Sequence, residues 1–256
     1  MIEISQFEEN FTYSHFNNEK LKGYIYENVF DETFFAQLKN QVEKIFTTNN
    51  TKTWLTHTST FNFNNQYHKI VSHHQNDREQ HVIFDLYPDS EWRFQTSQTI
   101  KQWADNKIEK EVSPYFIKTI KKFYTLAPFN TEINKWMCYR LHLNSLKYEK
   151  FLSLHIDSNH QLYNTKDVST ARSLSITFYL YDHIPNCGGE LFSINGFVYK
   201  PKRNSAICIN GTKVFHGVTM NKNPTKETRL AFTMRFVHVD DLYLPGHPDK
   251  FLYKVI

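Results

Sequence analysis

The stretch Ser173-Leu174-Ser175-Ile176-Thr177-Phe178-Tyr179-Leu180-Tyr181 alternates without a break. Its even positions are large and apolar, and every odd position carries a hydroxyl. Side chains along a strand point alternately to the two faces of a sheet, so this segment predicts a strand with one greasy face and one polar face. Arg229-Leu230-Ala231-Phe232-Thr233-Met234-Arg235-Phe236 repeats the pattern. Leu230, Phe232, Met234 and Phe236 share one face, and Arg229, Ala231, Thr233 and Arg235 share the other. Two readings of the polar faces stand open: they meet water, or they line a cavity. A solvated face in this chain would carry Lys, because Arg is scarce, with seven in all. The composition found there, hydroxyls, one small residue and two of the seven Arg, suits a cavity wall that receives an anion.

Around these two strands lies a consistent pattern. From Asn134 onward, short runs of β-branched and aromatic residues alternate with turn residues. Predicted strands are 135–141, 151–155, 173–181, 190–194, 197–200, 205–209, 214–218 and 228–238. Ahead of them, Asp31 is a candidate N-cap for a helix that places Phe34, Phe35, Leu38, Val42, Ile45 and Phe46 on one face. Helical spacing returns at 96–111 and 114–124. The segment 51–85, rich in Asn, Thr, His and Gln, reads as long loops. The expected fold class is α+β: a jelly-roll-like double sheet with N-terminal helices packed on one sheet. We expect one domain over 1–256, with helical support and loops in 1–130, the β-core in 131–240 and a tail in 241–256.

The chain has 256 residues, enough for a sizeable core, and 40% of them are hydrophobic, as in folded rather than disordered chains. No apolar run reaches the roughly 18 residues that span a membrane. A net charge of +4 is too small to imply nucleic acid by itself. Three cysteines without a paired spacing argue against a disulfide framework. Residues 1–6 lack the basic and apolar regions of a secretory signal, so the expected location is the cytoplasm.

Leu152-Ser153-Leu154-His155-Ile156-Asp157 ends a predicted strand on a His-x-Asp pair. A spacing of two puts both side chains on one face, where both can reach one ion. His216, in Val214-Phe215-His216-Gly217-Val218, offers a third ligand from a later strand. Two imidazoles and one carboxylate on one face of an octahedron leave three positions open, an arrangement suited to non-haem Fe(II).

The order of further features carries a resemblance. His155-x-Asp157, the strand containing Tyr179, Gly188-Gly189-Glu190-Leu191, Phe215-His216-Gly217 and Thr228-Arg229-Leu230-Ala231 follow one another as in the Fe(II)/2-oxoglutarate-dependent dioxygenases. The region 155–236 is most similar to the prolyl-4-hydroxylase-like branch. This resemblance implies a double-stranded β-helix fold, with Fe(II), 2-oxoglutarate and dioxygen as cofactors and cosubstrates. It implies that His155, Asp157 and His216 bind iron, that Arg229 and Tyr179 hold the distal carboxylate of 2-oxoglutarate, and that Thr233 and Tyr139 line its pocket. The implied reaction is hydroxylation of an unactivated C–H bond with release of succinate and CO2. Related halogenases replace the carboxylate ligand, which Asp157 retains here.

For the substrate, the branch points by analogy to an amino acid, free or peptidyl, with Arg235, Arg140 and Asp240 as candidate contacts. The spacing Arg229-x5-Arg235 also resembles the AlkB-like nucleic-acid demethylases, although no basic groove is evident. A catalytically silent binding module is the third reading. The His- and Asn-rich segment 56–81 and the loop 158–172 are candidates to cover the mouth, or are plain solvated loops. Oligomeric state is left open.

Overall fold

The computed structural model describes residues 12–18, 21–47, 79–86, 97–157, 172–193, 196–211, 213–225 and 228–242. Among the described residues eleven strands form two antiparallel sheets. They are β1 (Thr12–Asn18), β2 (Leu21–Glu27), β3 (Glu79–Asp85), β4 (Trp136–Leu146), β5 (Leu152–His155), β6 (Ser173–Tyr179), β7 (Leu191–Ser193), β8 (Val198–Tyr199), β9 (Ser205–Ile209), β10 (His216–Val218) and β11 (Arg229–His238). The larger sheet runs β1-β2-β9-β6-β11-β4-β3, and the smaller runs β5-β10-β7-β8. Among the described residues three α-helices precede β4: α1 (Glu32–Thr47), α2 (Ser97–Glu111) and α3 (Pro114–Tyr124).

The two alternating segments are neighbours, with β11 paired to β6 so that Thr233 opposes Thr177 and Phe232 opposes Phe178. Cross-strand partners share a face, so the pairing aligns greasy with greasy and polar with polar. The greasy face meets the helices. Phe35 of α1 lies edge-on to Phe178 at 6.1 Å, Phe116 of α3 packs on Phe232 at 5.2 Å, and Tyr124 meets Phe236 at 5.4 Å. Offset and edge-on ring pairs of this kind add about 0.5–1.5 kcal/mol each beyond the area they bury. Ile100, Ala104 and Ile108 of α2 join the same core. Asp31 caps α1 as expected: its Oδ1 accepts from the Phe34 backbone N–H at 2.8 Å. The polar faces of β6 and β11 look the other way, toward the smaller sheet.

Two expectations need correction. The first 130 residues contain β1, β2 and β3 as well as helices, and β3 lies inside the segment read as loops. An edge strand is held through backbone hydrogen bonds to its neighbour, here β4, so it needs no strong apolar alternation of its own. The strand expected at 135–141 runs on to Leu146. Residues 56–78 and 158–171 of the two candidate covering segments, and the tail from 243, lie outside the described residues. Among the described residues no helix is long and apolar enough to cross a membrane.

Candidate metal centre

β5 and β10 run antiparallel with His155 opposite His216, which brings two imidazoles from distant points of the chain side by side. Their ring centroids are 4.5 Å apart. Asp157 follows two residues after His155, and its backbone N–H donates to the Gly211 carbonyl at 2.7 Å. His155 Nε2 stands 3.7 Å from Asp157 Oδ1, and His216 Nε2 stands 3.7 Å from Oδ2. One ligand atom from each of the three lies within 4.8 Å of the others. His216 Nδ1 is 2.8 Å from the Val214 carbonyl. A carbonyl only accepts, so Nδ1 carries the proton and Nε2 keeps its lone pair for an ion.

Asp157 is held on every side. Ser175 Oγ donates to Oδ2 at 2.7 Å, and Arg235 Nη2 donates to Oδ1. A Cβ on Gly211 would come within 2.6–2.8 Å of Asp157 and Ser175 atoms, so only glycine leaves the carboxylate its seat. Burial pushes the Asp157 carboxyl upward, but Arg235, then the two histidines and the Ser175 hydroxyl, outweigh it and hold the group well below the usual carboxylate range. The carboxylate is therefore ionised and available as a ligand throughout the neutral range.

The cavity at this site has a volume of about 50 Å³. Beyond the three candidate ligands, its wall includes Thr177 and Tyr179 from β6, Arg229, Ala231, Thr233 and Arg235 from β11, and His142 and Asn144 from β4. The polar strand faces thus line a cavity rather than meet water. Asn144 Nδ2 donates to Thr233 Oγ1 at 2.9 Å, which places Thr233 in a polar floor. At the end away from Arg235, Arg229 lies over the Tyr179 ring, 5.1 Å from its centroid. Arg229 Nη2 and Tyr179 Oη are both buried, and apart from each other neither has a hydrogen-bond partner among the described residues. Burial lowers the Arg229 pKa while Tyr179 opposes that shift, and burial pushes the Tyr179 phenol up to about 12. Two buried donors that have only each other are costly unless an anion completes them.

Tyr139, expected in the cosubstrate pocket, does not line this cavity. A bulge between Arg235/Phe236 and Arg140/Cys138 breaks the alternation of β4 at Tyr139, which packs in the main core. His142 and Asn144 stand in the wall instead. Both lie on the run Arg140-Leu141-His142-Leu143-Asn144, whose alternation was visible in the sequence beyond the expected strand end. The three candidate substrate residues are all engaged within the protein. Arg140 is buried, with Nε 3.4 Å from Asp85 Oδ2. Asp240 sits on an exposed 3-10 turn, 3.2 Å from Lys135 Nζ and 3.8 Å from Arg172 Nη2, and does not line the cavity. Arg235 does line the cavity, but its guanidinium is on Asp157.

No protein-family model matches the sequence, and no curated protein matches it either. Solved structures do resemble the fold. HygX from Streptomyces hygroscopicus, with nickel and 2-oxoglutarate bound, matches with TM-score 0.50 and 12% identity, over 86% of this chain and 84% of that one. A prolyl hydroxylase from Trichoplax adhaerens, in complex with a peptide of the hypoxia inducible factor oxygen degradation domain, gives 0.48 and 13%, over 88% and 86%. A prolyl-4-hydroxylase from Pseudomonas putida gives 0.47 and 12%, over 84% and 92%. Two antiparallel sheets enclosing a His-Asp-His cluster, and the likeness to HygX, place this chain in the double-stranded β-helix fold of the 2-oxoglutarate oxygenases.

Proposed function

We propose that the chain is an Fe(II)- and 2-oxoglutarate-dependent dioxygenase that hydroxylates an unactivated C–H bond of an amino acid, free or within a peptide. The observation that carries the reading is one cavity with two complementary ends: a His155/Asp157/His216 cluster at one, and the orphaned donors of Arg229 and Tyr179 at the other. The donor set fits the metal, because two neutral imidazoles and one carboxylate suit Fe(II) and leave positions for other ligands. The orphaned donors fit the distal carboxylate of the oxo acid, because a planar guanidinium and a phenol can each donate to it.

When bound, iron and 2-oxoglutarate supply the oxidation, in which decarboxylation to succinate and CO2 is coupled to oxygen insertion into a C–H bond. The chain's own residues bind, orient and exclude. His155 and His216 present Nε2, and Asp157 presents the lone pairs that Ser175 and Arg235 leave to it. Arg229 and Tyr179 fix the far end of the oxo acid, and so its angle to the metal. The aromatic core behind β6 and β11 closes that side to water.

The amino-acid substrate is inferred from Gly188-Gly189-Glu190-Leu191, which resembles the prolyl-hydroxylase-like branch. The competing demethylase reading leans on Arg235 as a second arginine, and the Arg235–Asp157 pair gives that residue a role that needs no nucleic acid. The test is to incubate the Fe(II)-loaded chain with 2-oxoglutarate and a panel of amino acids, peptides and methylated oligonucleotides. The expected result is succinate together with a product heavier by one oxygen atom, both abolished by His216→Ala. Product from methylated oligonucleotides alone would overturn the substrate class, and unchanged turnover in His216→Ala would overturn the metal assignment.

A further inference from the structure

Arg229 separates two spaces. It lines the cavity at the metal cluster, and together with Tyr179, Gly188 and Gly189 it also lines a second cavity of about 470 Å³. A guanidinium on a flexible stem beside so large a space can swing away from the metal side. Something must hold it.

The 188–190 turn is placed to do so. Gly189 has φ +81° and lies against the arginine stem: a Cβ there would come 3.1 Å from Arg229 Cδ and 3.7 Å from Nε. Gly188 has φ +69°, and a Cβ there would fall 1.8 Å from the Met220 carbonyl oxygen. The turn is thus wedged between Arg229 and the chain just after β10. What fastens it is a closed set of bonds between Glu190 and Thr219. Glu190 N–H donates to Thr219 Oγ1 at 3.0 Å, and Thr219 Oγ1–H donates to Glu190 Oε2. The backbones also pair, Thr219 N–H to the Glu190 carbonyl at 2.9 Å and Gly189 N–H to the Thr219 carbonyl at 3.3 Å. The other Glu190 oxygen is 2.8 Å from His183 Nε2.

We infer that Glu190 and Thr219 are positioning residues for Arg229. They clamp the glycine turn against the arginine stem and so set how far the guanidinium reaches toward the metal. Through Arg229 this clamp acts on the distal carboxylate of the oxo acid, so it governs selectivity among 2-oxo acids. The inference rests on the proposed 2-oxoglutarate reading.

Ni(II), which supports no turnover, serves as the probe metal. The full chain and its Thr219→Val and Glu190→Gln variants are loaded with Ni(II) and titrated by calorimetry with 2-oxoglutarate and with 2-oxobutyrate, which lacks a distal carboxylate. We expect the Ni(II) affinity and the 2-oxobutyrate affinity to be unchanged in both variants. The 2-oxoglutarate affinity should fall roughly tenfold, the scale of one weakened charge-assisted hydrogen bond. In an Arg229→Gln background, Thr219→Val should then have no further effect on 2-oxoglutarate. Unchanged 2-oxoglutarate affinity in both variants overturns the clamp, as does an equal loss for the two oxo acids, which would mark a general loosening. Failure of the unmodified chain to prefer 2-oxoglutarate over 2-oxobutyrate instead overturns the cosubstrate reading itself.

Discussion

Arg229 and Arg235 stand on one face of one strand, six residues apart, and their surroundings are opposite. Arg235 is neutralised from within: it donates to Asp157, whose carboxylate also takes a hydrogen bond from Ser175. Arg229 has an aromatic ring and a glycine turn beside it, and one of its terminal nitrogens has no hydrogen-bond partner other than Tyr179 among the described residues. A buried cation with its anion supplied is part of the scaffold. A guanidinium with no carboxylate in contact carries a desolvation cost that an anionic ligand would offset, which is the role proposed for Arg229. Residue type and spacing do not tell the two apart; their neighbours do.

The largest expected effect tests that contrast by stability. In the metal-free chain, Arg235→Met strands the Asp157 carboxylate, and we expect it to lower the unfolding free energy by about 3–5 kcal/mol, the usual cost of breaking a buried pair from one side. Arg229→Met removes a partly buried charge that no carboxylate of the described residues contacts within ion-pair distance, Glu190 acting on it only from farther off, so stability should change by no more than about 1 kcal/mol. Denaturant unfolding of the two variants beside the unmodified chain checks this. Equal destabilisation would mean that Arg229 has a structural anion after all.

A second, smaller effect reads the same contrast through ligands. Arg229→Lys keeps the charge but loses the planar fork, and we expect 2-oxoglutarate affinity to fall about a hundredfold, near 2.7 kcal/mol. Metal affinity should not move. Arg235→Lys should do the reverse: 2-oxoglutarate binding to the metal-loaded chain changes little, while metal affinity shifts, because the seat of Asp157 is altered. Calorimetric titration of both variants with Ni(II), then with 2-oxoglutarate, separates the two outcomes.

Much of this is legible in the sequence. The alternation in 173–181 and 229–236 predicts which faces are greasy, because a strand has a period of two and both runs keep it unbroken. His155 and Asp157 are readable as a pair because their relation is local. Long-range relations were not readable. The Arg235–Asp157 bond joins residues 78 apart in sequence. The β3 strand exists because β4 offers it an edge. Tyr139 was misplaced because a bulge is decided by how two strands pair, and pairing is not written in either strand alone. His142 and Asn144 are a different case, since their alternation was present and only the expected strand end hid them.

The smallest effect sharpens the contrast at the Arg229 end through pH. The Tyr179 phenol is pushed from 10.0 up to about 12, chiefly by burial, and the nearby Arg229 cation opposes the rise. A phenol whose folded pKa exceeds its unfolded value binds its proton more tightly in the folded chain. The stability this represents is fully present below pH 10, and it is lost as pH rises from 10 toward 12, because the unfolded chain releases the proton first. At pH 11 the loss from this one group should be about 1 kcal/mol. Other buried phenols and thiols titrate in the same direction, so the measurement is a difference: the unfolding free energy of the chain minus that of Tyr179→Phe, at pH 8 and at pH 11. That difference should narrow by about 1 kcal/mol at the higher pH. The phenol's own titration, followed by ultraviolet absorption as the difference between the chain and Tyr179→Phe, should move to higher pH in an Arg229→Met background, because removing the cation lets burial push the phenol higher still. In an Arg235→Met background that titration should stay where it is in the unmodified chain. If the two backgrounds behaved alike, Tyr179 would be sensing general burial rather than its own arginine, and the pairing of donors proposed for the oxo acid would lose its support.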